Sequence, residues 1–435
     1  MPISSAPLHW PKLSKWVSIS RRNAIDLFPR STYEDYRVSR RLLYQKLSVV
    51  SRPETILSVC GIDSHKFSLT NLQKRVLSPA LGNGLILAEG DDWKEQRRLA
   101  NKLSARPRLS QRINLDHAHL RLDNMIDNWL SSKRSSDRQK IHEDLLKVSI
   151  EMLAATLFGT TGVSATDDML ETISAHRKAI ENFDILDAMG APTWLRSQKM
   201  RRAHRISQRY NDLILTHLKS VGVFQELGSD DRIRDFAVSM MTGFESIANT
   251  SLWAIGQLAR TPPDAQAAMV ESETDEVKLL QWNQPIKSPL DALIAETLRL
   301  YPPLPLIYRK ARDRYRTVDG SFEKGEILCI SPWIVHRHTK LWENPVEFRP
   351  ERWLEKTPDE VSGYIPFGVG SRQCVGRHIG PALIRIILTR CIRRTHFKIE
   401  GALSTVPRAG VTLRPLDPLA IYALPRDAAA KNCTN

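Results

Sequence analysis

A chain of 435 residues, 42% of them hydrophobic, can bury a sizeable core as one large fold or two to three ordinary domains. Its five cysteines, Cys60, Cys329, Cys374, Cys391 and Cys433, are scattered and odd in number with no Cys-x-x-Cys pair, which argues against a disulfide scaffold or a zinc site and for a reducing compartment. Lys and Arg (63) outnumber Asp and Glu (48), a net charge of +15 that suits an anionic membrane, an acidic protein or plain solubility; no aromatic-interleaved basic stretch is present, so nucleic acid is set aside.

Residues 1–65 read as short helices and strands. The first forty carry Lys12, Lys15, Arg21, Arg22 and Arg30 with no uninterrupted apolar run, so neither a secretory signal nor a membrane anchor is expected. Leu47, Val49 and Val50 form a strand-like run, and Ser51-Arg52-Pro53-Glu54 starts a short helix. Residues 66–92 read as loop-rich, with Pro79, Gly82, Asn83 and Gly84, and a helix begins near Asp91. Residues 115–160 and 165–222 show helical periodicity. Ser229-Asp230-Asp231 caps a long central helix. From Phe236 to Ala259 its only charge is Glu245, long enough to cross a bilayer, but Ser239, Thr242, Asn249, Thr250, Ser251 and Gln257 mark it as buried within a large helical protein. After a polar stretch over 261–288, Ser288-Pro289-Leu290-Asp291 starts a helix that stops at Tyr301, before Pro302-Pro303. Strand and turn signals follow, and return from Phe397 to Leu424; the tail from Asp427 reads as disordered. The expectation is one mainly α domain with a minor β portion near 45–65, 305–332 and 397–424.

The most informative stretch is Phe367-Gly368-Val369-Gly370-Ser371-Arg372-Gln373-Cys374-Val375-Gly376, followed by a largely apolar run from Ile379 to Ile392. A thiol in a glycine-bracketed loop that opens a helix is biased toward thiolate by the positive helix end, and Arg372 adds a full charge. A lone cysteine is most often a small buried hydrophobe; the flanking pattern marks this one as a ligand. Glu296 and Arg299 share a face of an otherwise apolar helix, so their pairing should be buried and needs a third partner, which Arg352 of Phe348-Arg349-Pro350-Glu351-Arg352-Trp353 can supply. Trp93 and Arg97, four apart, can grip one carboxylate.

Phe-x-x-Gly-x-Arg-x-Cys-x-Gly resembles the haem-binding loop of the cytochrome P450 family. Trp-x-x-x-Arg, an acid–alcohol pair, Glu-x-x-Arg, Pro-Glu-Arg-Trp and the cysteine loop occur in that family's order, over roughly Arg52 to the end. The resemblance implies the cytochrome P450 fold and haem b (iron protoporphyrin IX) with Cys374 as the iron ligand. It implies cofactor contacts from Phe367, Gly370, Arg372 and Gly376, one propionate held by Trp93 and Arg97, and the other by Arg309. Arg372 is a further propionate candidate, and His336-Arg337 resembles an element of structure or propionate support. Glu296, Arg299 and Arg352 match the structural triad. Thr242-Gly243-Phe244-Glu245-Ser246 resembles the oxygen-activation motif: Gly243 would leave room for dioxygen, Ser246 would hydrogen-bond activated oxygen through water, and Glu245 would relay protons. Two departures matter. Thr242 replaces a small residue, and Ser246 replaces threonine, keeping the hydroxyl without the methyl that fixes its rotamer.

The implied activity is that of a soluble, prokaryotic-type haem-thiolate monooxygenase, cytoplasmic and monomeric, hydroxylating a lipophilic small molecule with dioxygen. A pocket of Met240, Phe244, Ile247, Leu304, Leu306 and Ile307 would fit such a substrate. No flavin or nicotinamide module fits in this length, so electrons would come from an acidic ferredoxin or flavodoxin with its reductase. Docking candidates are Arg98, Lys102, Arg377, Arg385, Arg390, Arg393 and Arg394, where charge reversal at Arg377 or Arg394 should slow reduction. The alternatives are a peroxide-using peroxygenase or an isomerase on the same fold, and a non-catalytic haem sensor or carrier.

Overall fold

The computed structural model describes residues 3–42, 45–105, 113–131, 138–159, 165–181, a few positions between 202 and 212, and 228–271, 282–399 and 406–426. The tail from Asp427, most of the segment 160–220 and residues 272–281 lie outside these. The described helices, in chain order, are α1 (Leu13–Arg22), α2 (Pro53–Leu57), α3 (Asn71–Leu81), α4 (Gly90–Leu103), α5 (Leu115–Ser131), α6 (Arg138–Phe158), α7 (Asp167–Glu181), α8 (Asp230–Met241), α9 (Gly243–Leu258), α10 (Pro263–Glu271), α11 (Pro289–Leu300), α12 (Pro332–Val335) and α13 (Ile379–Arg394). The strands are β1 (Arg37–Leu42), β2 (Gln45–Val50), β3 (Phe67–Ser68), β4 (Ile307–Ala311), β5 (Tyr315–Thr317), β6 (Gly320–Phe322), β7 (Ile327–Ile330), β8 (Thr395–Ile399), β9 (Pro407–Ala409), β10 (Leu413–Pro415) and β11 (Ile421–Pro425). No described helix is long and apolar enough to cross a membrane.

The core is built around α9. Every residue from Ile247 to Leu258 is buried, because the helix packs against α6, α13 and α11 on several sides. A helix enclosed in this way has no solvated face and needs no charged stripe, which explains its resemblance to a membrane span. The long helix expected from Ser229 to Ala259 is interrupted: α8 ends at Met241, Thr242 forms a turn and α9 begins at Gly243. Thr242 Oγ1 donates to Ser239 O at 2.7 Å, a local bond that competes with the helix ladder at the break.

Residues 66–92, expected as loop, contain α3. Thr70 and Gln73 form a reciprocal capping box at its start. Pro79 sits inside the helix, and Gly82 closes it at φ +54°. A sheet in the order β1-β2-β7-β4-β3 flanks the helical body, with β2 and β7 parallel and the other neighbours antiparallel. In its register Arg309 faces Leu328 and Ile307 faces Ile330. Between residues 51 and 66 the chain is helical and turned rather than extended.

Candidate active site around Cys374

Two residues of α11 form the rigid base beneath the cysteine loop. Ser288 accepts from Asp291 N at 3.4 Å, and Pro289 occupies the first turn. This start sets Glu296 and Arg299 on the inward face, both fully buried. Arg299 binds Glu296 through Nε and Nη2, each at 2.8 Å, and donates to His336 O, Pro345 O and Glu347 O at 2.7–2.8 Å. Glu296 also accepts from Arg349 N (2.8 Å), Arg352 Nε (3.1 Å) and Trp353 Nε1 (2.8 Å). The pair is thus satisfied on all sides, the condition for tolerating buried charge.

His336 transmits this base to the chain leading into the loop. Its Nε2 accepts from Ile365 N–H at 2.8 Å, so its Nδ1 carries the proton and donates to Arg299 O at 2.8 Å. Burial holds its pKa well below the ordinary histidine value. Both ring nitrogens are used for structure. Arg337 is also buried, donates to Leu300 O at 2.5 Å and lies 3.3 Å from the Trp333 ring, with its pKa pushed down to about 9 by burial and by Arg299. Both residues are thus engaged with protein groups of the scaffold.

The loop itself is shaped by close backbone approach. Gly368 and Gly370 have φ of +65° and +75°. A Cβ on Gly370 would lie 2.0 Å from Cys60 O, so only glycine fits against that turn. Cys374 N donates to Phe367 O at 2.9 Å, folding the loop back on itself before α13. The sulfur is accessible, yet desolvation raises its pKa while the Gly376 N–H, Arg97 and Arg377 oppose the rise. Accessible surface together with strong desolvation describes a thiol on the floor of a protein-walled recess.

Arginines converge there. Arg97 of α4 donates to Gln373 O at 2.6 Å; desolvation lowers its pKa while Cys374 acts to raise it. Arg372 donates to Ala88 O at 2.5 Å and stands 5.0 Å from the Trp93 ring. Its pKa falls to about 10 through burial first, then repulsion from Arg309, with Glu89 opposing and Arg97 adding. Arg309 of β4 donates only to Tyr308 O, at 2.9 Å, among the described bonds. Trp93, Arg97, Arg309, Arg372 and Cys374 are therefore brought together. Among the described residues no carboxylate forms an ion pair with any of the three arginines, whose hydrogen bonds there all end on carbonyls.

On the α8–α9 side, Met240, Phe244 and Ile247 are buried in the main core. Glu245 pairs with Arg177 of α7 at 3.1 Å, a partner that no motif in the sequence announced. Ser246 is half-buried one residue on. A Cβ on Gly243 would meet only Leu153 of α6, at 3.5 Å, an ordinary contact; the space that glycine leaves faces α6. In the bends that follow α11, Leu304 is 46% exposed and Pro305 is buried. Leu306 packs with Leu27 and Trp333 in a separate cluster. Ile307 does reach the loop, 3.7 Å from a Cβ placed on Gly368.

Two further residues escaped the sequence analysis. Trp282 is buried, donates to Arg377 O at 2.9 Å and sets its ring 5.4 Å from that of Phe367, bracing the loop; a lone tryptophan in a polar stretch was the available signal. Asp235 binds Asn83 N at 2.7 Å, which only the tertiary fold reveals. Four of the seven basic residues expected to form a docking face are paired internally: Arg377 with Asp359, Arg385 with Asp291, Arg390 with Asp123, and Arg394 with Asp123 and Asp127.

The sequence model of the family described as Cytochrome P450 matches residues 5–237 and 193–416. The chain belongs to the cytochrome P450 family. It is 23% identical over 379 residues to taurochenodeoxycholic 6 alpha-hydroxylase of Sus scrofa, covering 78% of this chain and 75% of that protein. It is 34% identical over 197 residues to dimethylnonatriene synthase of Arabidopsis thaliana, covering 43% of this chain and 38% of the relative. Among solved structures, CYP175A1 from Thermus thermophilus superposes with a TM-score of 0.72 at 22% identity, covering 89% of this chain and 92% of that one, and so shares the fold.

Family membership makes the chain a P450 oxidoreductase and implies a cysteine-ligated haem. The recess fits such a group on its own chemistry. One accessible sulfur receives a backbone N–H. Arg97, Arg309 and Arg372 present positive charge with no ion-paired carboxylate among the described residues, matching the two propionates of haem.

Proposed function

We propose that the protein is a haem-thiolate monooxygenase that binds haem b through Cys374 and hydroxylates a lipophilic small molecule with dioxygen and electrons from an external donor. One observation carries this: Cys374 lies in a recess ringed by arginines that form no ion pair with a carboxylate among the described residues. Haem held there would supply oxygen activation. The protein supplies the rest. Gly376 N–H would hold the negative charge on Sγ. Arg97, Arg309 and Arg372, with Trp93, would clamp the propionates, and Phe367, Gly370 and Gly376 would bound the sulfur face of the ring. Met240, Phe244, Ile247 and Ile307 would keep water from the substrate. Glu245 would carry a proton inward on Oε2 while Arg177 holds Oε1, and Ser246 Oγ would pass it on. The Glu296–Arg299–Arg352 hub acts as scaffold.

The internal pairing of Arg377, Arg385, Arg390 and Arg394 weakens the argument for a strongly acidic ferredoxin or flavodoxin as donor, though one remains the proposed partner. The four described cysteines are unpaired, which supports a cytoplasmic setting. The test is the reduced carbonyl spectrum of the haem-loaded protein, followed by turnover of a lipophilic library with a surrogate ferredoxin system. A thiolate-type Soret band lost in Cys374→His, together with substrate-dependent oxygen uptake, is the expected result. Absence of that band overturns the ligand assignment, whereas turnover with peroxide alone favours a peroxygenase.

A further inference from the structure

The segment Gly82–Ala88 joins the two halves of the site. At one end it lies directly on α8. A Cβ on Gly82 would stand 2.0 Å from the Asp235 carboxylate, and one on Gly84 2.1 Å from both Asp235 O and Ser239 Oγ. No side chain could intervene there. Asp235 Oδ2 accepts from Asn83 N at 2.7 Å, and its Oδ1 takes Arg234 Nε and Nη2 at 3.1 and 3.0 Å. Asn83 O accepts from Gln96 Nε2 of α4 at 3.0 Å, and Asn83 Nδ2 donates to Asp92 at 2.6 Å. At the other end, Arg372 of the cysteine loop holds Ala88 O at 2.5 Å. Between these anchors Leu85 and Leu87 are buried in the same cluster as Met240, Phe244 and Ile247.

We propose that Asp235 is a positioning residue that pins this segment to α8 and thereby sets the shape of the wall a bulky ligand meets beside Cys374. The pin works because glycine at 82 and 84 lets backbone meet backbone, and because a carboxylate anchored by Arg234 is a stronger acceptor for the Asn83 N–H than a neutral group. Releasing it removes one charge-assisted bond and lets Leu85 and Leu87 shift, while α9 and the Glu296 hub stay in place. The inference rests on the haem-binding reading for its ligand assay, but not for its exchange assay.

The experiment compares the holoenzyme, Asp235→Ala and Asp235→Asn by backbone hydrogen exchange and by Soret-shift titration with 4-phenylimidazole and with imidazole. In Asp235→Ala, exchange should quicken by about tenfold over 82–88 and stay unchanged in α9, in keeping with one lost bond of charged type. Its affinity for 4-phenylimidazole should fall by roughly tenfold while that for imidazole changes less than about twofold. Asp235→Asn, which keeps an acceptor, should recover most of both. Unchanged exchange over 82–88 overturns the pin, as does exchange that rises throughout the chain or an equal loss for both azoles. A protein with no Soret band would instead defeat the haem reading and leave the exchange result to decide the pin.

Discussion

The Glu296 hub gathers fully buried charge and the Cys374 recess half-buried charge, and they treat it in opposite ways. At the hub every donor and acceptor of Glu296 and Arg299 is met within the protein: four side chains and several carbonyls close the network. In the recess Arg309 and Arg97 repel Arg372 while Glu89 opposes them, and among the described residues the three arginines hydrogen-bond only to carbonyls. A closed network is scaffold. Charge left open inside a fold costs stability and is a mark of binding, since a partner that brings the opposite charge recovers it.

The contrast breaks if removing charge has the same sign in both places. Glu296→Ala should cost about 3–5 kcal/mol, because it strands a buried guanidinium; urea denaturation or soluble yield would show it, and a loss under about 1 kcal/mol would mean the hub is not closed. Arg309→Leu should act oppositely in the haem-free protein, leaving stability unchanged or slightly raised as repulsion on Arg372 is relieved. With haem bound, the same substitution should cost about 1.5–3 kcal/mol of a charged hydrogen bond, read as faster haem transfer to an acceptor globin. A pH-dependent effect separates scaffold histidines from the rest. His336, and His142 whose pKa burial lowers to about 4, are neutral in the fold. The unfolded chain protonates them below about pH 6.5, so it binds more protons there and stability falls as the pH drops from about 6.5 toward 4, by up to about 1.4 kcal/mol per pH unit for each histidine. Urea midpoints at pH 7, 6 and 5 should follow this fall, and His142→Gln, which can still meet Asn249, should reduce the slope.

Much of this was legible in the chain because the functional signals are local. The cysteine loop is defined by glycines and one thiol within ten residues. Glu296 and Arg299 meet at helical spacing, and the start at Ser288-Pro289 fixes which face they share. What misled was context. The α3 helix was hidden by Pro79 and Gly82, which read as loop, although Thr70 and Gln73 spelled its cap. Leu306 packs against a cluster separate from the main core, which its apolar character alone could not show. The basic residues of α13 read as a docking face because the acidic partners of Arg390 and Arg394, Asp123 and Asp127, lie on α5, 267 positions away.

By itself the sequence determined the iron ligand candidate, the buried ion pair and the mainly helical class, because spacing of three or four residues, caps and tight glycine turns are short-range properties of the backbone. Only the tertiary structure decided that Arg177 holds Glu245, that Asp235 receives the backbone of a segment 152 residues earlier, and that three arginines gather without an ion-paired carboxylate among the described residues. Those contacts depend on how helices pack, and packing is set by the shape of the whole core and not by any stretch of it.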